Sequence, residues 1–391
     1  MKIIPTFIAI GMASVALLAS KPVLPDILNP HKVTKPSHHI YHRYGPTIQI
    51  GILLDTSGSM QGLIEQAKDQ LWMIVNEVAK ANRYHRDVRI EVGLFEYGKS
   101  SIPRYKGYLR MLSPLTTDLD RVSEALFRLR TNGGEEYAGR VILESVERFR
   151  WSHHRDDLKI LIIAGNESFA QGDVPYRAAI REARREGIIV NTIFCGNRRD
   201  GRRLYWADGA RVGGGKYFNI DHNYRRVDIP TPYDDEIITL GKQLNKTYLS
   251  YGKESVRKAK TANVYKQDAN SRALSKTSYV ERNLVKSKKQ YRSASSDLVS
   301  AYAKDSRILQ KISSDRLPDR LHGKSRQEIK RIIEEKKIKR EKLQKRIRKL
   351  ESKRAAYIAK KSKKGEKNLG AAIIKTIKEQ AKTHGYSFEK Q

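Results

Sequence analysis

The stretch from Thr47 to Met60 constrains the fold more than any other. Thr47-Ile48-Gln49-Ile50-Gly51-Ile52-Leu53-Leu54 is apolar, β-branched and too short for a helix, so it predicts a buried central strand. The strand runs into Asp55-Thr56-Ser57-Gly58-Ser59-Met60, and Leu63, Ala67, Leu71, Ile74, Val75 and Val78 then recur at helical spacing. Asp55, Ser57 and Ser59 are thus a carboxylate and two hydroxyls at the carboxyl end of a strand, beside a helix start. Such hard oxygen donors suit a divalent cation such as Mg²⁺. The competing reading is that the three side chains only cap the helix and satisfy its free amides.

Strand and helix patterns alternate from Thr47 to about Ser250. Val88–Tyr97 alternates with period two, and Tyr108–Leu112 is a short strand candidate. Val122, Leu126 and Leu129 mark a helix opened by Thr117 with Asp120 three residues on; Val141–Phe149 marks another after Gly133-Gly134. Leu158–Ala164 and Ile188–Phe194 are apolar strands separated by a helix over Tyr176–Arg185, and Lys216–Ile220 is a last short strand. Thr231-Pro232-Tyr233-Asp234 opens a helix running to about Leu249. Near-continuous apolar strands between amphipathic helices predict an α/β fold: a doubly wound, mostly parallel sheet flanked by helices over 47–250. Ligands bind such sheets where the carboxyl ends of the strands open. Asp55 and Gly165-Asn166-Glu167 lie at such ends, and Gly133-Gly134-Glu135-Glu136 is in a loop able to reach the same edge.

On these residues the region 47–250 resembles a von Willebrand factor A domain, and Asp55-x-Ser57-x-Ser59 matches the first part of its metal-ion-dependent adhesion site. The resemblance implies that Asp55, Ser57 and Ser59 hold Mg²⁺, Mn²⁺ or Ca²⁺, directly or through water, and that a carboxylate of a protein partner completes the coordination. The family pattern adds a threonine after a Gly-Gly loop and an aspartate after a later strand. Here the threonine position holds Glu135 and the aspartate position falls on Gly165, with Asn166 and Glu167 following. The expected ligand set is Asp55, Ser57, Ser59, Glu135 and Asn166.

Other chemistry finds little support. Gly58-Ser59-Met60-Gln61-Gly62 places its serine one residue off the G-x-S-x-G elbow, and His153 and His154 have no evident orienting partner. No phosphate-binding Gly-rich loop is present, and Gly196–Gly201 lacks dinucleotide spacing. The single cysteine, Cys195, excludes an intramolecular disulfide and reads as a buried core thiol. A hydrolase is the weakest of three readings. A non-enzymatic envelope binding protein leads, and a scaffold with an inert site is the alternative.

Residues 1–20 carry Lys2, an apolar run from Phe7 to Leu18 and small residues at Ala19 and Ser20, the pattern of a secretory signal or an uncleaved N-terminal anchor. The rest of the chain is then expected outside the cytoplasm, secreted or periplasmic, with no later membrane span. Residues 21–46 hold five prolines and four histidines (His31, His38, His39 and His42) and read as a linker.

Basic charge is concentrated at the other end. From Lys253 to Gln391 there are 41 Lys and Arg against 15 Asp and Glu, a net +26 of the chain's +34. Residues 251–391 therefore read as a basic helical tail. Ser325-x-x-Glu328 opens a helix on which Ile329, Ile333, Leu343, Ile347, Leu350 and Tyr357 follow a four-three repeat, interrupted by Lys336, Arg340 and Arg354. This predicts a marginal coiled-coil seam in an antiparallel hairpin, with a short final helix over Leu369–Ala381. The expected partner of such a tail is an anionic envelope surface; nucleic acid is not expected, given the leader.

Overall fold

The computed structural model describes residues 45–84, 86–221, 228–291, 296–361 and 369–388. The apolar leader, all but the last two residues of the linker, and the four linker histidines lie outside the described residues. Among the described residues no helix is long and apolar enough to cross a membrane.

The chain opens with β1 (Thr47–Asp55), α1 (Gln61–Val78), the short strands β2 (Ala81–Arg83) and β3 (Arg86–Asp87), and β4 (Arg89–Tyr97). It continues through β5 (Arg110–Thr116), α2 (Leu119–Phe127), α3 (Ala138–Arg148), β6 (Leu158–Gly165), α4 (Tyr176–Arg185) and β7 (Ile188–Cys195). Two short helices, α5 (Arg198–Arg203) and α6 (Trp206–Val212), precede β8 (Gly214–Ile220) and α7 (Asp234–Asn245). Six strands form one sheet in the order β5-β4-β1-β6-β7-β8. All pairings are parallel except that of the edge strand β5 with β4. This is the doubly wound order, and its switch point lies between β1 and β6. The central strands are buried on both faces, as their unbroken apolar sequences require. Phe149, Trp151, Phe169 and Trp206 pack with α3 and α4 on one face.

The other face holds the main departure from the sequence reading. The C-terminal third comprises α8 (Glu254–Leu274), α9 (Lys276–Lys286), α10 (Leu298–Lys304), α11 (Ile308–Lys311), α12 (Arg326–Lys361), α13 (Leu369–Thr383) and β9 (Ser387–Phe388). It is not a tail set apart from the sheet, because residues 44–391 form one compact unit. Leu369, Ile373, Ile377 and Ala381 of α13 share a core with Ile50, Leu54, Leu63 and Leu71. Gln66 of α1 accepts from the Leu369 amide at 3.2 Å, and Asn191 and Gln380 bond side chain to side chain inside the protein. Ser387 and Phe388 of β9 pair with β2.

The four-three seam of α12 is real but serves no coiled coil. Leu343, Ile347 and Leu350 join the core with Ile237, Leu244, Val280 and Leu284, while Ile329 and Ile333 pack with Leu249, Leu298 and Leu317. The seam's polar interruptions anchor the helix. Arg340 meets Asp297 at 2.7 Å and the Thr247 carbonyl at 2.9 Å; Arg354 meets Asp234 at 3.0 Å and Glu281 at 2.7 Å. The Ser325–Glu328 capping box forms as expected. At α2, Asp118 rather than Thr117 caps, because Asp120 is drawn inward to Arg282 and Tyr291. The Thr231–Asp234 pair forms, but α7 ends at Asn245 rather than Leu249.

Candidate functional site

Parallel pairing sets the site. In the register of the sheet Asp55 lies opposite Tyr97 of β4, and Leu54 opposite Ala164 of β6. Asp55 is fully buried, and its Oδ1 accepts from the Ser57 amide at 2.8 Å, which turns the chain outward. Its Oδ2 has no hydrogen-bond partner. The hydroxyls of Ser57 and Ser59 lie 3.4 Å apart, and Asn166 donates through Nδ2 to Ser59 Oγ at 3.1 Å. Asn166 Oδ1 is left buried and unpartnered. The capping reading fails on one observation. Neither the 3₁₀ turn Gly58–Met60 nor α1 receives a side-chain cap, so the two hydroxyls are not spent on helix amides.

The Gly-Gly loop delivers a different glutamate from the expected one. Asn132 donates its amide to the Thr56 carbonyl at 3.0 Å, and the Ser100 amide donates to Gly133 O at 2.6 Å, fixing the loop beside the site. With that register Glu135 points out to solvent and accepts from Gln171 at 3.0 Å. Glu136 turns inward, is buried, and carries an unpartnered Oε2. Both acids stand in a loop with no periodicity, so the sequence holds no signal for which one faces in. The pinch point is Gly98. A Cβ there would lie 2.7 Å from Glu136 Cγ and 2.8 Å from Asp55 Oδ1, which brings the two carboxylates to one pocket. The φ of Gly98 is +75°, a conformation that side chains resist.

Position 165 is glycine for a steric reason. A Cβ there would sit 2.4 Å from the Tyr97 hydroxyl and 3.0 Å from Asp55 Oδ2. Tyr97, donating to the Ala164 carbonyl at 3.0 Å, fills the space an aspartate would need. Glu167 stays exposed on the rim, and its carbonyl accepts from the Trp206 indole. His153 and His154 precede β6 and so lie at the opposite end of the sheet from the serines. Cys195 is buried in the core, and burial pushes its thiol up.

Electrostatics follow from burial without counter-charge. Burial raises Asp55 to about 7, opposed by the Ser57 amide and hydroxyl and the Asn166 amide. Burial, then repulsion from Asp55 and Glu167, raises Glu136 to about 8. Three buried oxygens without partners and two hydroxyls therefore converge at the sheet's switch point. Among the described residues no three His, Cys, Asp or Glu side chains cluster with metal-holding geometry, so hydroxyl and amide oxygens must complete any coordination here. An all-oxygen donor set fits Mg²⁺, Mn²⁺ or Ca²⁺.

The doubly wound strand order, the antiparallel edge strand and the D-x-S-x-S turn at the end of the central strand agree with the fold expected from the resemblance to a von Willebrand factor A domain. No protein-family model matches the sequence, and no curated protein matches it. Among solved structures, this chain is similar to BatB from Bacteroides thetaiotaomicron, at 15% identity, covering 57% of this chain and 99% of that one, with a TM-score of 0.34. A von Willebrand factor type A protein from Catenulispora acidiphila is 16% identical over 45% of this chain and 39% of that one, with a TM-score of 0.34. Proximal thread matrix protein 1 from the mussel byssus, with a zinc-occupied MIDAS motif, is 12% identical over 44% of this chain and 41% of that one, with a TM-score of 0.33. Of the last two proteins the match spans only about two fifths.

Proposed function

We propose that residues 47–250 form a von Willebrand factor A-type domain, a non-enzymatic binding module that holds a divalent cation and offers it to a carboxylate of a protein partner. The supporting observation is the trio of buried, unpartnered oxygens (Asp55 Oδ2, Glu136 Oε2 and Asn166 Oδ1) beside the hydroxyls of Ser57 and Ser59. Unpaired buried acceptors are costly, and a hard cation satisfies all of them together. Asp55 and Glu136 would ligate as carboxylates, Ser57 and Ser59 through their hydroxyls, and Asn166 through its amide oxygen. Glu135 has no part in this set. The cation would supply a positive charge at an otherwise acidic opening, where Gly58, Ser59 and Gly133 are exposed to an approaching partner. The apolar run Phe7–Leu18, read as a leader, supports a role at the cell envelope, outside the cytoplasm. The test is capture of the full chain on an immobilised Asp-rich peptide. Capture requires Mg²⁺ or Mn²⁺, is abolished by chelator and is absent in Asp55→Ala. Equal capture by wild type and Asp55→Ala in chelator would instead favour an inert scaffold.

A further inference from the structure

A groove in the C-terminal third is built for an acidic ligand. Its first chamber, of about 860 Å³, lies between the end of α7, the start of α8, the Pro318–Arg320 turn and α12. Lys246, Arg257, Lys258, Arg320 and Lys336 line it. A second chamber of about 650 Å³ adds Lys242 and Arg272, and shares Asn245, Lys246 and Tyr265 with the first, so the two are continuous.

Lys258 pairs with Glu254 at 2.5 Å, but most of the charges in this groove are not used up by the fold. Arg320 and Lys336 donate to the carbonyls of Tyr248 and Lys246. Among the described residues neither of them, nor Lys242, Lys246 or Arg272, has a carboxylate partner. Arg257 is buried and bonds Asp319 at 2.5 Å through Nη2, but its Nε has no partner. The Oδ1 of Asn245 is likewise buried and unsatisfied. The groove's carboxylates are already paired: Asp319 with Arg257 inside the groove, and Asp268 with Arg282 and Lys286 behind it. Burial lowers the affinity of Lys336 for its proton, and repulsion from Arg320, Lys339 and Arg340 lowers it further.

We propose that this groove binds a single strand of an acidic polysaccharide. The strand's carboxylates would pair with Lys246, Arg320 and Lys336, and its hydroxyls with Asn245, Ser250 and Thr261. One sugar face would rest on Tyr265, a residue 58% exposed. A flat bilayer cannot enter a cleft between helices. A nucleic-acid strand needs successive aromatic platforms, and Tyr265 is the one exposed aromatic in the lining. The groove shares no residue with the cation site, so the two proposals stand or fall separately.

The test is fluorescence anisotropy of labelled oligogalacturonate with the full chain. Binding is saturable and weakens with salt. Lys246→Gln/Arg320→Gln/Lys336→Gln weakens it about tenfold or more. The equally charge-depleting Lys345→Gln/Lys349→Gln/Lys353→Gln, on exposed positions of α12, weakens it about twofold. Tyr265→Ala, with no change of charge, costs about fivefold. Uncharged dextran does not compete, and Asp55→Asn binds like wild type. Equal losses in the two triple variants, tighter binding of oligo(dT) or of vesicles with anionic lipid, dependence on Asp55, or no saturable binding would each overturn the proposal.

Discussion

Two parts of this molecule bury charge, and they do it in opposite ways. Around Arg282, every charge meets an opposite one. Its guanidinium contacts Asp120 and Asp268 and lies over the Trp72 ring at 4.6 Å; Lys286 meets Asp268 at 2.9 Å. At the carboxyl edge of the sheet, Asp55 and Glu136 repel each other, and among the described residues no lysine or arginine pairs with either. A paired buried charge fixes geometry, and losing one partner strands the other. An unpaired one stores a cost that only a ligand or a proton relieves. The first arrangement fastens α8 and α9 to the α/β domain; the second has the character of a binding site.

The largest expected effect would break the structural side of this contrast. Deleting residues 369–391 uncovers one face of the sheet and removes Leu369, Ile373, Ile377 and Ala381 from the core. The loss is ~5 kcal/mol or more, comparable to a domain's whole stability. Urea denaturation should find the truncated chain unfolded or nearly so. An unchanged midpoint would show that the C-terminal third is an appendage after all.

Next in size, Arg282→Met leaves Asp120 without its salt bridge and should cost about 3–5 kcal/mol. The matching change at the site goes the other way. Asp55→Asn should stabilise the cation-free protein at pH 8 by ~1–3 kcal/mol, because it removes an uncompensated buried charge. Thermal unfolding of both variants checks the pair of signs, and destabilisation by both would erase the distinction.

The pH dependence follows from the same carboxyls. Folded Asp55 and Glu136 titrate at about 7 and about 8, above their ordinary values of 3.8 and 4.5. Between those limits the folded state binds more protons than the unfolded one, so cation-free stability falls as pH rises from about 4 to 8. Saturating Mg²⁺ should flatten that fall, since ligation holds the carboxylates ionised. A cation-free protein whose stability rises over this range would count against the raised values.

The smallest effect separates neighbours in the loop. Glu136→Gln should weaken Mn²⁺ affinity about tenfold or more, and exposed Glu135→Gln less than about threefold. Titration followed by the electron paramagnetic resonance of free Mn²⁺ reads both; the reverse order would restore Glu135 to the site.

Much of the fold was legible because burial writes itself into apolar runs. β1, β6 and β7 read as buried parallel strands, and α4 falls on the expected residues Tyr176–Arg185. Asp55, Ser57 and Ser59 were legible from their place after β1. Glu136 was not, because its orientation depends on two backbone hydrogen bonds, from Asn132 to Thr56 and from Ser100 to Gly133, between distant segments. The role of the C-terminal third was hidden by its charge. The seam of α12 was visible in its repeat, but Arg340 and Arg354 gave no sign that their partners were Asp297, Asp234 and Glu281 of other elements. Short helices such as α13 carry a face but no address.

The most direct measurement is a calorimetric titration of the full chain at pH 8 with Mg²⁺, Mn²⁺ and Ca²⁺, run on wild type, Asp55→Asn and Glu136→Gln. A single saturable site in wild type, absent in Asp55→Asn and much weakened in Glu136→Gln, is the predicted result. Heats that are the same in all three proteins would mean that the unpaired oxygens at the sheet edge hold no cation.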